Sequence, residues 1–320
     1  MSPAIPSTSS SSWAEGGSLH TLENQHWRLG ILPDAGASVA FGQIRHDGDW
    51  HDLLRPTPET DRWSAMDCSS YLLVPWSNRV RDGVLRHEGR SYRLRRNADD
   101  GTALHGTAME FSWDVSLAGD TELQATFDSS AVHGVNYPWR FSSRVGFRLD
   151  GPRLVVDLSV RNEDEVPVPV GFGHHPYFRR RLTGPGDDVR LEIPCREYFE
   201  LVDCLPTGPA VPVEPRVDFT GLRPLGEEWV DDCLTGRDPE VPIRLSYPSG
   251  VEVTLQVDEV FSNVVLYIPT GSDVFAVEPV TNANDGFTLL EEGIPGSGIL
   301  VLAPGEERGG RVTVEVTAVG

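Results

Sequence analysis

Alternation with a period of two restricts this chain more than any other feature. In FSSRVGFRL, Phe141, Val145, Phe147 and Leu149 fall on one face and Arg144 and Arg148 on the other. After a DGP turn, RLVVDLSVR resumes with Leu154, Val156, Leu158 and Val160 in phase, and with Asp157 and Arg161 out of phase. Successive side chains on a strand point to opposite faces, so each run reads as a half-buried strand. Asp150-Gly151 supplies the turn chemistry that makes the two a hairpin. The pattern returns in GVEVTLQVDE, in RVTVEVTAV and in VRLEIP, and the stretch 79–94 adds two turn signals, Asp82-Gly83 and Glu88-Gly89.

Long segments with a 3.6-residue period are absent, and the best helical candidate is a short piece near residues 59–67. Many short strands punctuated by 32 Gly and 25 Pro imply an all-β fold, a large antiparallel sandwich or barrel with few short helices. No fixed-period repeat or low-complexity linker divides the chain, and the loop-rich stretch 203–229 is the weakest candidate boundary. One domain is therefore expected over residues 19–320. The Ser/Pro-rich stretch 1–18 is expected to be a disordered tail.

Charge narrows the partners. The formal net charge is −21, from 48 acidic and 27 basic residues, which would repel nucleic acid and anionic membrane surfaces. Small neutral molecules remain open. No apolar run is long enough to span a bilayer, and the N-terminal stretch lacks the charged start and apolar core of a secretory signal. A cytoplasmic location is expected. Cys68, Cys195, Cys204 and Cys233 form no C-x-x-C pair and are expected to be reduced thiols, with a Cys195–Cys204 bridge as the alternative.

Five stretches place polar groups among turns and apolar residues: VPWSNRVRDG at 74–83, ALHGTAMEFSW at 103–113, GFGHHPYF at 171–178, FAVEPVTNANDGF at 275–287 and EWVDDCLTG at 228–236. Glu278 is the most telling, because burying a carboxylate in an otherwise apolar strand is costly without a partner or a task. His174 and His175 are neighbours, so on a strand only one of them faces a given pocket, and Tyr177 shares the face of His175.

In combination, PWSNRVRDG, LHG followed by a Trp, YPWRF at 137–141, HPYF and VEPVT, in that order, resemble the aldose 1-epimerase (galactose mutarotase) family over roughly residues 30–315. The resemblance implies one large antiparallel β-sandwich with an open cleft across one sheet. It implies His175 as catalytic acid and Glu278 as catalytic base. His105 then hydrogen-bonds the sugar near its ring oxygen, and Arg79, with Asn78 beside it, binds sugar hydroxyls. Asp231 matches the family's sugar-binding aspartate, with Asp232 as the alternative. Tyr177, Trp76, Trp113, Tyr137 and Trp139 are candidate sugar platforms. One departure concerns the substrate: well-known galactose-specific members carry Asn before the catalytic histidine and a small residue after it, where this chain has His174 and Pro176. His174 is expected to be structural.

The chemistry suits these residue types. Interconverting anomers requires the C1 hydroxyl to lose a proton as the ring oxygen gains one, so a base and an acid must flank one carbon. Each contributes typically 10²–10⁴-fold, together about 5 to 11 kcal/mol at roughly 1.4 kcal/mol per decade. Mutual proximity is expected to favour the charged form of each. No cofactor or metal is expected, and which aldose is used and the oligomeric state are not legible. Three alternatives stand beside this reading: a His105–His175–Glu278 metal triad, glycoside hydrolysis by Glu278 with Asp231, and a sugar-binding module without turnover.

Overall fold

The hairpin at 141–162 forms as its pattern implies. Strands Phe141–Asp150 and Arg153–Asn162 pair antiparallel from Phe141 opposite Asn162 to Asp150 opposite Arg153. Gly151 takes a positive φ of 56° in the two-residue turn. The computed structural model describes residues 19–58 and 63–318, so the tail expected over 1–18 lies outside the described residues.

Two large sheets dominate. The nine-stranded sheet runs in the order Asp114–Ala118, Glu122–Asp128, Phe141–Asp150, Arg153–Asn162, Glu307–Ala318, Val251–Val257, Ile243–Ser246, Arg190–Glu192 and Arg223–Pro224. The eleven-stranded sheet begins with His20–Glu23, Trp27–Leu32 and Ser38–His46, from which Asp49–Asp52 branches. It continues through Ser70–Leu73, Gly173–Arg179, Val274–Val280, Asn263–Ile268 and Val230–Arg237 to Cys195–Tyr198 and Val211–Pro212. Strand neighbours in both are antiparallel. Adjacent strands come from distant parts of the chain at the centre of the eleven-stranded sheet, where residues 173–179 lie between 70–73 and 274–280.

The sheets pack face to face, as the sandwich reading requires. One apolar cluster joins Leu29, Leu72, Phe178 and Val277 of the eleven-stranded sheet to Phe147, Val156, Leu255 and Val312 of the nine-stranded sheet. A cavity of about 50 Å³ remains between them, and His174 lines it. Among the described residues there is one α-helix, Gly286–Glu291, which at six residues is too short for periodicity to reveal. The helical expectation near 59–67 is corrected: Ala65–Asp67 forms a single 3-10 turn, and residues 59–62 lie outside the described residues. No helix among the described residues is long and apolar enough to cross a membrane. All four cysteines are free thiols.

Both faces of the central strands are covered. The inner face meets the other sheet, and the outer face carries a second apolar cluster that includes Tyr71, Leu73, Met109, Phe199, Cys233, Val265 and Val280. This explains why SYLL, NVVLYI and VFAVEPV read as nearly continuous apolar runs instead of alternating ones. The candidate site lies on this outer face.

Candidate active site

Register assembles the site. His175 pairs with Tyr71 on one side. On the other, the pairings Gly173–Val280 and Tyr177–Ala276 bring His175 opposite Glu278. Between those pairings stand Pro176 and Pro279, which have no N–H to give the ladder. Glu278 lies opposite Val265, and Val265 opposite Cys233. Directly opposed residues share a face, so Tyr71, His175, Glu278, Val265 and Cys233 form one row across five strands. Two residues along, Tyr177, Ala276, Tyr267 and Asp231 form the next row.

His175 Nε2 lies 3.1 Å from Glu278 Oε1, and both side chains are almost wholly buried. The Tyr71 ring stacks on the His175 imidazole at 4.5 Å, and Tyr177 flanks it at 4.7 Å. His105 meets it edge-on at 5.3 Å. Arg55 places its guanidinium 3.8 Å over the Tyr177 ring, held by the carbonyls of Met66 at 3.1 Å and Cys68 at 2.5 Å. His174 points the other way, toward Phe261 and the interior, as neighbours on a strand must.

The opposite wall is built by three of the sequence motifs together. Asn282 accepts hydrogen bonds from the Ser77 N–H at 3.0 Å and hydroxyl at 2.9 Å, and its amide donates to the Ser77 carbonyl at 2.9 Å. Asn78 donates to the Asn282 carbonyl at 3.1 Å. Its own carbonyl accepts from the His105 N–H at 3.0 Å. Thus the Asn78 amide tethers the wall, while Arg79 and His105 reach the cleft. Gly106 fixes the approach of LHG. It has φ 78°, and a Cβ there would stand 2.1 Å from the Val74 carbonyl oxygen, so only glycine fits. Arg79 donates to Asp100 at 2.8 Å.

Asp231 and Asp232 separate cleanly. Asp231 faces the cleft and accepts from the Cys204 thiol at 3.6 Å, whereas Asp232 is buried in a bidentate pair with Arg216 at 2.6 and 2.9 Å. Trp76, Trp113, Tyr137 and Trp139, read as candidate platforms, belong to the apolar core instead. Their large apolar area is more stably placed there. Tyr71, Tyr267, Asp100, Cys204 and Arg55 join the site without having been singled out from the sequence.

Burial dominates the electrostatics. It raises the Glu278 carboxyl well above its usual range, with Asp231 adding and Arg79 opposing. Burial likewise holds His175 well below the usual imidazole range, helped by His105 and Arg55. These directions oppose the expectation that the pair would hold each other charged. The 3.1 Å contact instead joins two groups that burial pushes toward their neutral forms. His105 is pushed down to about 3 by burial and Arg79, so it is neutral at pH 7. Burial raises Asp231 as well. Glu278 Oε2, His175 Nδ1 and His105 Nδ1 are buried with no hydrogen-bond partner among the described residues. Such atoms are costly unless a ligand supplies one. Among the described residues no group of three His, Cys, Asp or Glu side chains converges as a metal site.

A family model described as aldose 1-epimerase matches residues 18–315. The uncharacterized protein YphB of Escherichia coli is 28% identical over 317 residues, covering 93% of this chain and 98% of YphB. A solved structure from E. coli K12 superposes with a TM-score of 0.80 at 24% identity, covering 95% of this chain and 100% of that one. A galactose mutarotase-like protein from Clostridium acetobutylicum superposes with a TM-score of 0.79 at 16% identity, covering 96% and 100%.

Proposed function

The chain belongs to the aldose 1-epimerase family, and from that premise we propose that it interconverts the α and β anomers of an aldose by acid–base ring opening and closure. The observation that carries the reading is the 3.1 Å contact between His175 Nε2 and Glu278 Oε1 on the cleft face. The two oxygens on an anomeric carbon share that carbon, so an acid and a base in mutual contact reach both at once.

In the forward half-reaction Glu278, as carboxylate, removes the C1 hydroxyl proton. His175, as imidazolium, protonates the ring oxygen, and the C1–O5 bond breaks to give the open-chain aldehyde. The pair passes from one charged–charged arrangement to one neutral–neutral arrangement with its total proton count unchanged. Burial raises the energy of the first relative to the second, and direct attraction lowers it. Keeping the two close in energy lets the same pair run both directions. After rotation about C1–C2, the neutral pair swaps roles and closes the ring on the other face. Arg79, Asp231 and neutral His105 fix the sugar while C1 moves, and Tyr177 offers a ring face beside it.

Polarimetry of freshly dissolved α-glucose, α-galactose and related aldoses tests this, with the Glu278→Gln variant as control. The wild type is expected to accelerate relaxation of at least one aldose, and the variant to lose about 10²–10⁴-fold in kcat with little change in KM. A near-normal kcat in the variant removes Glu278 as base. A protein that binds sugar yet leaves the relaxation rate unchanged is a binding module of the same fold.

A further inference from the structure

A buried aromatic ring backs the His175 imidazole. Tyr71 stands directly opposite His175 in the sheet and is 1% exposed. Its ring stacks on the imidazole with centroids 4.5 Å apart and planes 25° from parallel. Tyr177, two residues along the strand of His175, is the other tyrosine on that imidazole, at 4.7 Å and 33°. One face of Tyr177 already carries the Arg55 guanidinium at 3.8 Å. Among the described residues no guanidinium lies over Tyr71, so the density of its ring is left to the imidazole.

The groups that face His175 pull in different directions. Glu278, 3.1 Å away, favours the imidazolium when it is ionised. His105 and Arg55 oppose the imidazolium, as burial does. Burial raises the Tyr71 phenol well above its usual range, so this ring stays neutral and acts through its π face. Both forms of the imidazole stack on such a ring, but only the cation is drawn to its negative face. That attraction reaches to about 6 Å from the ring centroid and is strongest where water is excluded, as it is at Tyr71. It works through the face of the imidazole and leaves the Nε2 edge to Glu278 and the sugar.

We propose that Tyr71 is a positioning residue that fixes the plane of the His175 ring and stabilises its imidazolium form by a buried cation–π contact, keeping the charged His175–Glu278 pair populated while a cyclic sugar is bound. The inference rests on the mutarotase reading of the same cleft. Ring opening starts from the charged pair, so whatever favours that pair over its neutral form raises kcat. Tyr71 does not reach the sugar and leaves binding alone.

The test is anomeric relaxation across pH in the wild type, Tyr71→Leu and Tyr71→Phe, with the aldose that the wild type turns over best. Tyr71→Leu is expected to lower kcat about 10- to 30-fold with KM within about twofold, and Tyr71→Phe to recover most of the loss. On the acid side, activity is lost as Glu278 takes a proton opposite an imidazolium. That doubly protonated pair loses the same stabilisation in Tyr71→Leu, so the acid limb should move to lower pH. A limb that stays in place, or moves up as water filling the vacated space would make it, overturns the assignment. So does a Tyr71→Phe variant as impaired as Tyr71→Leu, which would give the effect to the phenol hydroxyl. Should Tyr71→Leu not fold, fluorinated phenylalanines in place of Tyr71 keep the ring and drain its π density. The kcat should then fall with each fluorine, and a flat series overturns the assignment. If no sugar relaxes faster with the wild type, the mutarotase reading falls. The nitrogen-15 shifts of the His175 imidazole then test the contact without a sugar, and protonation at the same pH with and without the fluorines overturns it.

Discussion

The outer faces of the two sheets do opposite things with the same backbone. On the nine-stranded sheet, strand Phe141–Asp150 alternates buried and accessible residues along its whole length, and its outward side chains meet water. On the eleven-stranded sheet, every residue of Ser70–Leu73 is buried, as are the last six of Val274–Val280. A face turned to water tolerates any polar residue and specifies none. A covered face is costly for polar groups, so His175, Glu278 and Asp231 stand out there as groups held for a purpose. The covering is local: wall segments 77–81 and 282–285 are stapled together by Asn282 and Asp285.

The sharpest way to break this comparison uses two neighbours. His175→Asn removes the imidazole from the cleft face and is expected to cost about 10²–10⁴-fold in kcat with the fold retained. His174→Leu alters the core face. It should leave kcat per folded molecule within a few-fold and act on stability instead. Anomeric relaxation and thermal melting of both variants decide. Equal loss of turnover in the two would mean that the faces are not separated as the register implies.

How much of this was legible follows from the same contrast. The hairpin 141–162 was readable because water on one face writes an alternating pattern into the sequence. Parity alone separated His174 from His175, and Glu278 drew notice as a charge in an apolar strand. For the adjacent pair Asp231 and Asp232, the family resemblance favours Asp231 and leaves Asp232 as the alternative. The pairing Asp231–Tyr267 and the Arg216 partner of Asp232 put the two in different surroundings. Tyr71, Tyr267 and Arg55 were silent for a related reason: their place in the cleft depends on which distant segments lie side by side. An aromatic in a doubly buried strand looks the same whether it lines a core, as Phe275 does, or a site, as Tyr71 does.

The core-face neighbour also makes a prediction about acid. Burial pushes His174 down to about 4, with Asp157 opposing, against about 6.5 in the unfolded chain. Because the folded pKa is depressed, the unfolded chain binds more protons between these values. The contribution of neutral His174 is therefore complete above about pH 6.5 and is lost as pH falls toward 4. At 1.36 kcal/mol per unit this amounts to about 3 kcal/mol. Denaturation midpoints at pH 7 and pH 4.5 should fall less in His174→Leu than in the wild type. An identical acid loss in both would show that this imidazole is not the group that acid attacks.

The smallest effects compare two bidentate Asp–Arg pairs, one on each sheet. Arg311 donates to Asp157 at 2.7 and 3.2 Å on the open face, where both side chains are about half exposed. Arg216 donates to Asp232 at 2.6 and 2.9 Å, where the carboxylate is buried. Near-identical geometry in different surroundings isolates the effect of solvent. Water competes for the first pair and screens it, so Asp157→Ala should cost no more than about 1 kcal/mol. In the second pair, Asp232→Ala takes away two of the three hydrogen bonds of the Arg216 guanidinium, the third going to Glu214, and about 1–3 kcal/mol is expected. Urea midpoints at low and high salt measure both, and the salt dependence should belong mainly to the exposed pair. Equal costs would mean that water reaches the Asp232 carboxylate as freely as it reaches Asp157. Glu278 lies two strands away on the opposite face of the sheet, so its own burial is decided by the cleft side alone.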